Sequence, residues 1–248
     1  MAYAAILFDL FDTLVLFDPS RLPLVEINGK RVHTTAHLLH ERLVRDVPGV
    51  SVEACYGALI ESWREAERLR ALDLREVPAG ERFRDFVRRL ALDPEGVPAA
   101  LIPDLIDTHR RELGRAAEFP THHGPLLRAL GERARLAVVS NFDYTPTALD
   151  ILERAGVADL FQAIVVSDTV GWRKPHPEIF SSALARLGVA AADALFVGDR
   201  ADIDVVGAQR MGMPAVWINR GAQALPPGMS PPDHEVRDLA ELVPILER

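Results

Sequence analysis

Four short segments of this chain carry residue types that can do covalent and electrostatic chemistry. Phe8-Asp9-Leu10-Phe11-Asp12-Thr13-Leu14 ends an apolar run in two acids and a threonine. A carboxylate fixed at the end of a buried strand can serve as a nucleophile or as a metal ligand. Val138-Val139-Ser140-Asn141 ends a second apolar run in two small hydrogen-bonding side chains. In Gly171-Trp172-Arg173-Lys174-Pro175-His176-Pro177 the prolines restrict the backbone and so fix where Lys174 points. Val197-Gly198-Asp199-Arg200-Ala201-Asp202-Ile203-Asp204 places three carboxylates behind another apolar run. Acids packed that closely repel unless a cation or water relieves them, and magnesium, a hard cation with oxygen ligands, suits such a place. Acids also cap strand ends for purely structural reasons, so no segment alone decides the chemistry.

The elements needed to hold these segments are legible around them. Ala4–Leu10, Leu136–Ser140, Ala163–Ser167, Ala194–Gly198 and Pro214–Asn219 are short apolar runs, several of them continuous, as parallel strands covered on both faces are. Helical patterns run over Leu126–Arg133, Thr147–Ala155, Glu178–Leu187 and Asp204–Met211, with Gly156, Gly188 and Gly212 as stops for the last three. Strand and helix in alternation predict an α/β fold with a doubly wound parallel sheet, whose ligands bind at the carboxyl ends of the strands. Residues 17–119 read differently. An Asn28-Gly29 turn predicts a tight hairpin, and apolar residues then recur at helical spacing through Tyr56, Leu59, Ile60, Trp63 and Ala66 and through Phe83, Phe86, Val87 and Leu90. These aromatics are expected in a core, and the arginines between Arg64 and Arg115, interleaved with acids, on solvated helix faces. Pro226–Pro232 reads as a loop before a last helix near Asp238–Leu246.

Composition bounds the function. The chain has 248 residues, 48% hydrophobic and 26% charged, enough for a substantial core with a smaller inserted part. A net charge of −8 argues against a nucleic-acid binder, which needs a basic surface. Cys55 is the single cysteine, so neither an intrachain disulfide nor a thiolate zinc site is expected. No apolar run is long enough to span a membrane, no charged n-region opens the chain, and a cytoplasmic location is expected.

The order and spacing of the four chemical segments resemble the haloacid dehalogenase-like (HAD) hydrolase superfamily, from residue 4 to about residue 220. The pairing of Arg173-Lys174-Pro175 with Gly198-Asp199 and Asp204 is the most telling part. The resemblance implies a three-layer Rossmann-like core, residues 1–16 and 120–248, with a first-type helical cap, residues 17–119, that closes over substrate. It implies Asp9 as the nucleophile and a magnesium ligand, with the Phe11 carbonyl and Asp199 as further ligands. Asp204 would bind the ion or orient its waters. Ser140, Asn141 and Thr13 would hold the transferring group, and Lys174 would neutralise charge. The implied activity is magnesium-dependent hydrolysis of a small phosphorylated metabolite through an aspartyl-phosphate.

One position departs from the pattern. Family phosphatases carry a second aspartate, a general acid and base, two residues after the nucleophile; here that position is Phe11. Asp12, one residue on, is the leading substitute. His122 and His123 are read as exposed linker histidines in preference to residues reaching the site, and Asp143 as a loop or cap residue. The departure leaves two other readings open. One is a metal-independent 2-haloacid dehalogenase acting through an aspartyl ester, against which the acidic fourth segment argues. The other is a weakly active or inactive ligand-binding relative. Physiological substrate and oligomeric state stay open.

Overall fold

Six parallel strands form the sheet, in the spatial order His234–Val236, Ala215–Ile218, Ala194–Gly198, Ala5–Phe8, Arg135–Ser140, Phe161–Val166. This computed structural model describes residues 3–246; the outermost residues 1, 2, 247 and 248 of the expected core lie outside the described residues. Ala5–Phe8 is buried throughout, with Phe8 in register with Val138 on one side and Val197 on the other. From this strand the sheet grows outward through Arg135–Ser140 to Phe161–Val166. The chain then returns to the opposite flank and grows outward again. The first strand therefore marks the point where strand order reverses, the place at which open α/β sheets bind their ligands. Asp9 follows directly.

Continuous apolar runs became buried strands because helices cover the sheet. Leu7, Val139, Val165, Phe180, Phe196 and Trp217 belong to one buried cluster, each such side chain contributing about 1.5–3 kcal/mol on burial. The helices His123–Gly131, Thr145–Arg154 and Pro177–Leu187 lie within a few residues of the expected ranges. Gly188 closes the last of these at φ 64°, a conformation that glycine adopts without a Cβ penalty. The helix expected from Asp204 is different: Ala201–Val205 winds as a π-helical turn before the α-helix Val206–Arg210. The expected final helix is a 3₁₀ turn, Leu239–Glu241, running into Leu242–Leu246. His234–Val236 is a sixth strand that was not expected; three residues with one buried side chain carry no readable period.

The chain separates into two units, one built from the segments up to Phe17 and from Glu118 onward, the other Asp18–Ala117. The second unit opens with a hairpin, Leu24–Ile27 and Lys30–His33, turned by Asn28 and Gly29 at φ 52° and 71°. Four helices follow, Ala36–Leu43, Val52–Asp73, Ala79–Arg89 and Leu101–Ala116. Two expectations fail here. Trp63 is 51% exposed, because the long helix buries a stripe through Cys55, Ala58, Leu59, Ser62, Ala66 and Arg70 instead. Arg70, Arg82 and Arg110 are buried, not solvated. Arg70 bridges Glu76 at 2.8 Å and Glu67 at 2.5 Å, which compensates its desolvation. Among the described residues, no helix is long and apolar enough to cross a membrane.

Candidate active site

The amide of Asp9 donates to Val197 O at 2.9 Å, which extends the sheet pairing one residue past the first strand and fixes the carboxylate there. Three segments converge on it. Lys174 places Nζ 2.6 Å from Asp9 Oδ1 and 2.9 Å from Asp204 Oδ1, with 2% of the residue exposed. Asp9, Asp199 and Asp204 each present a carboxylate oxygen, all within 4.8 Å of one another.

Asp204 reaches this cluster through the π-helical turn. Its Oδ2 accepts from the Arg200 amide at 3.0 Å, so the carboxylate folds back onto the end of its own strand. A Cβ at Gly198 would run into that carboxyl group, which explains a glycine at the strand end. Asp202, grouped with its neighbours in the sequence, points out of the cluster and pairs with Arg200 at 2.8 Å. The third acid of the site is therefore Asp9.

Burial raises the Asp199 carboxyl to about 8, with Asp9, Asp204 and Asp12 adding repulsion and Lys174 opposing it. Asp9 is likewise raised by burial, to about 6; Lys174 pulls it down and Asp204 pushes it up. Burial works against the Lys174 ammonium, yet Asp204 and Asp9 outweigh it and hold the lysine above its ordinary value. One buried ammonium does not satisfy three carboxylates. The surplus of negative oxygen donors fits a divalent hard cation, and the donor set has the chemistry of a magnesium site.

Asn141 does something the sequence did not suggest. Its Nδ2 donates to Lys174 O at 3.0 Å and its Oδ1 accepts from the Lys174 amide at 2.7 Å. This side chain, expected to hold the transferring group, clamps the backbone that carries the ammonium. Asn141→Ala is therefore expected to lower kcat by about 10–100-fold through misplacement of Lys174, with a smaller change in KM; steady-state kinetics checks this. Ser140 Oγ and Thr13 Oγ1 are buried without a hydrogen-bond partner, leaving both hydroxyls available to a ligand.

Phe11 packs its ring against Phe142, centroids 4.9 Å apart, and edge-on to Phe17 at 6.3 Å. Asp12 lies at φ 57°, a left-handed conformation that aspartate tolerates better than most residues and glycine adopts freely. Its exposed side chain accepts from the Phe17 amide at 3.1 Å. Asp12 is outside the three-carboxylate group and is occupied in holding the turn. Arg220 was missed altogether; its guanidinium donates to the carbonyls of Asp12 and Thr13 and braces the same loop. Its place two residues past a core strand end was the available signal. Asp143 is buried after the second strand; His122 is exposed, whereas His123, expected as an exposed linker residue, is fully buried, and the two engage Asp238 and Leu14 O, not the carboxylate cluster.

Comparison with known proteins agrees with this geometry. The family model for haloacid dehalogenase-like hydrolases matches residues 3–212. A protein of Thermus thermophilus named phosphoserine phosphatase is 31% identical over 243 residues, 96% of each chain. A Pyrococcus furiosus protein named glyceraldehyde 3-phosphate phosphatase is 29% identical over 98% of this chain and 92% of its own. A 2-haloacid dehalogenase structure from Pseudomonas syringae superposes with a TM-score of 0.74 at 24% identity, covering 99% of both chains, a likeness of fold. The shared family and the parallel sheet that carries the carboxylates at its strand ends lead to one conclusion: this chain belongs to the haloacid dehalogenase-like hydrolases.

Proposed function

We propose that this hydrolase is a magnesium-dependent phosphatase acting on a small phosphorylated metabolite through a covalent Asp9 intermediate. The observation that carries this reading is the cluster of Asp9, Asp199 and Asp204 around a single ammonium. Asp9, Asp199 and the Phe11 carbonyl would hold the ion. Asp204, with one oxygen on Arg200 N and the other at Lys174, would orient its waters. Bound there, magnesium would neutralise the carboxylates and the charge that develops on the phosphoryl group.

The rest falls to the chain's own groups. Lys174 holds Asp9 in one orientation for in-line attack on phosphorus. The ester oxygen leaves as the Asp9–phosphorus bond forms, and water then cleaves the aspartyl-phosphate at phosphorus and restores the carboxylate. Ser140 Oγ and Thr13 Oγ1 donate to phosphoryl oxygens. The helical unit, Asp18–Ala117, serves as the cap. The relatives named for phosphoserine and glyceraldehyde 3-phosphate favour short-chain phosphate monoesters as substrates. An activity screen over such esters, with magnesium and with chelator, tests the reading. Hydrolysis only with magnesium supports it; hydrolysis of 2-haloacids alone, indifferent to chelator, contradicts it.

Phe11 gives the dehalogenase reading its one specific support, because a halide leaves without a proton. In the phosphatase reading it has a measurable consequence. An alkoxide needs a proton as it departs, and Asp12 is held on the Phe17 amide. Aryl and acyl phosphates are therefore expected to turn over faster than alkyl phosphates. Phe11→Asp should raise alkyl phosphate turnover, toward the lower end of the roughly 10²–10⁴-fold typical of general acid catalysis. It should also lower stability by about 1–2 kcal/mol through lost contact with Phe142 and Phe17. Kinetics on both ester types, with thermal unfolding as control, checks this. A folded variant with no gain on alkyl esters would mean that another group already supplies the proton.

A further inference from the structure

A second constellation of ligand atoms lies in the core unit, apart from the three carboxylates. One ring nitrogen each of His122 and His123 and a carboxylate oxygen of Asp238 lie within 4.8 Å of one another. His122 Nε2 is 3.1 Å from Asp238 Oδ1 and 3.2 Å from Oδ2. The two imidazoles sit edge to face with centroids 4.6 Å apart.

The decisive feature is His123. It is fully buried, and its Nδ1 sits 2.9 Å from Leu14 O. A carbonyl only accepts, so Nδ1 carries the proton and donates. Nε2 is then the bare lone-pair nitrogen, and it is buried without a hydrogen-bond partner. A buried acceptor left unsatisfied costs about 1–3 kcal/mol. Burial, the first influence on this ring, also disfavours its charged form, with Arg220 and His122 acting the same way and Leu14 O and Asp238 against. A neutral imidazole whose Nδ1–H is held by a backbone carbonyl, with Nε2 free, is the arrangement that metal-ligating histidines adopt.

We infer that His122, His123 and Asp238 form a second metal site, for a divalent transition ion of the zinc class. Two imidazoles and a carboxylate select such an ion over magnesium, which prefers oxygen alone. The 3.1 Å between His122 Nε2 and Asp238 Oδ1 is close to the about 3.4 Å that separates two donors held at about 2.0–2.2 Å from a tetrahedral zinc, and the His123 nitrogen lies within 4.8 Å of both. His122 would exchange its shared proton for the ion. Asp238 would keep one oxygen on the Ala240 amide, where it now caps the 3₁₀ turn, and offer the other. The ion would act on the loop that bears Asp9: His123 holds Leu14 O, and the Leu14 amide in turn donates to Leu10 O at 2.9 Å. The role is bracing, distinct from the chemistry at Asp9.

Cobalt(II) is the probe, because four-coordinate cobalt absorbs visibly and intensely while six-coordinate cobalt does not. The metal-free protein would be titrated in excess magnesium, to compete cobalt from the carboxylate site. One equivalent should bind with intense bands, zinc should bleach them, and Asp199→Ala should leave them unchanged. His122→Ala and Asp238→Asn, at residues with half-exposed side chains, should remain folded and weaken cobalt binding by at least about 10–100-fold. Zinc should raise the melting temperature of the wild type and not of these variants. Absence of the bands in the wild type, their persistence in His122→Ala, or their loss in Asp199→Ala would overturn the site.

Discussion

Asp9→Asn is expected to abolish turnover, by about 10⁴-fold or more, while leaving a folded protein. The amide keeps the size of the carboxylate but cannot attack phosphorus. Stability should not fall. Lys174 retains Asp204 at 2.9 Å, so no ammonium is stranded. The exchange also removes one charge from three crowded carboxylates. In metal-free buffer the variant should therefore melt no lower than the wild type, as is common where function imposes a destabilised site. Kinetics and thermal unfolding on the same preparations check both halves. A variant retaining a tenth of wild-type activity would remove Asp9 from the nucleophile's place.

The second large effect concerns the cation. Chelation is expected to abolish phosphate ester hydrolysis, and added magnesium to restore it. Asp199→Ala should lose about 10²-fold or more and should not be rescued by magnesium at the wild-type concentration. Asp199 is partly exposed, and its backbone carbonyl, not its side chain, accepts from Trp217 Nε1 at 2.8 Å. The substitution thus removes a donor from the cluster with little disturbance of the fold. Magnesium titrations of activity on both proteins decide the matter. Full wild-type phosphate ester hydrolysis in excess chelator would remove the cation from the mechanism.

How far the sequence could carry these conclusions depends on the kind of relation involved. Continuous apolar runs ending in polar residues located Asp9, Ser140 and Asp199 at strand ends, because burial on both faces of a parallel sheet leaves a local trace. The resemblance picked Asp204 over Asp202, a choice that spacing alone did not make. The choice turns on the π-helical winding of Ala201–Val205, which an i, i+3, i+4 pattern does not encode. Asn141 looked like a substrate ligand because a small polar residue at a strand end suits either job. Only the tertiary contact with Lys174, 33 positions away, reveals the clamp. Asp12 in turn looked like a spare acid. Its positive φ and its bond to the Phe17 amide show a turn residue in the left-handed conformation that glycine adopts most freely. The pairing of His122 with Asp238 spans 116 positions and left no trace that spacing rules could find.

The covalent intermediate tests the central claim most directly. Wild-type enzyme mixed in excess over a phosphate ester with magnesium, quenched in acid within a turnover and digested, should yield one phosphorylated peptide, with the phosphoryl group on Asp9. The label should be absent from Asp9→Asn and from chelated enzyme. In heavy-oxygen water the new oxygen should enter the released phosphate and not the Asp9 carboxylate, because water attacks phosphorus. Hydrolysis without a phosphorylated Asp9, or heavy oxygen appearing in the Asp9 carboxylate, would contradict the account.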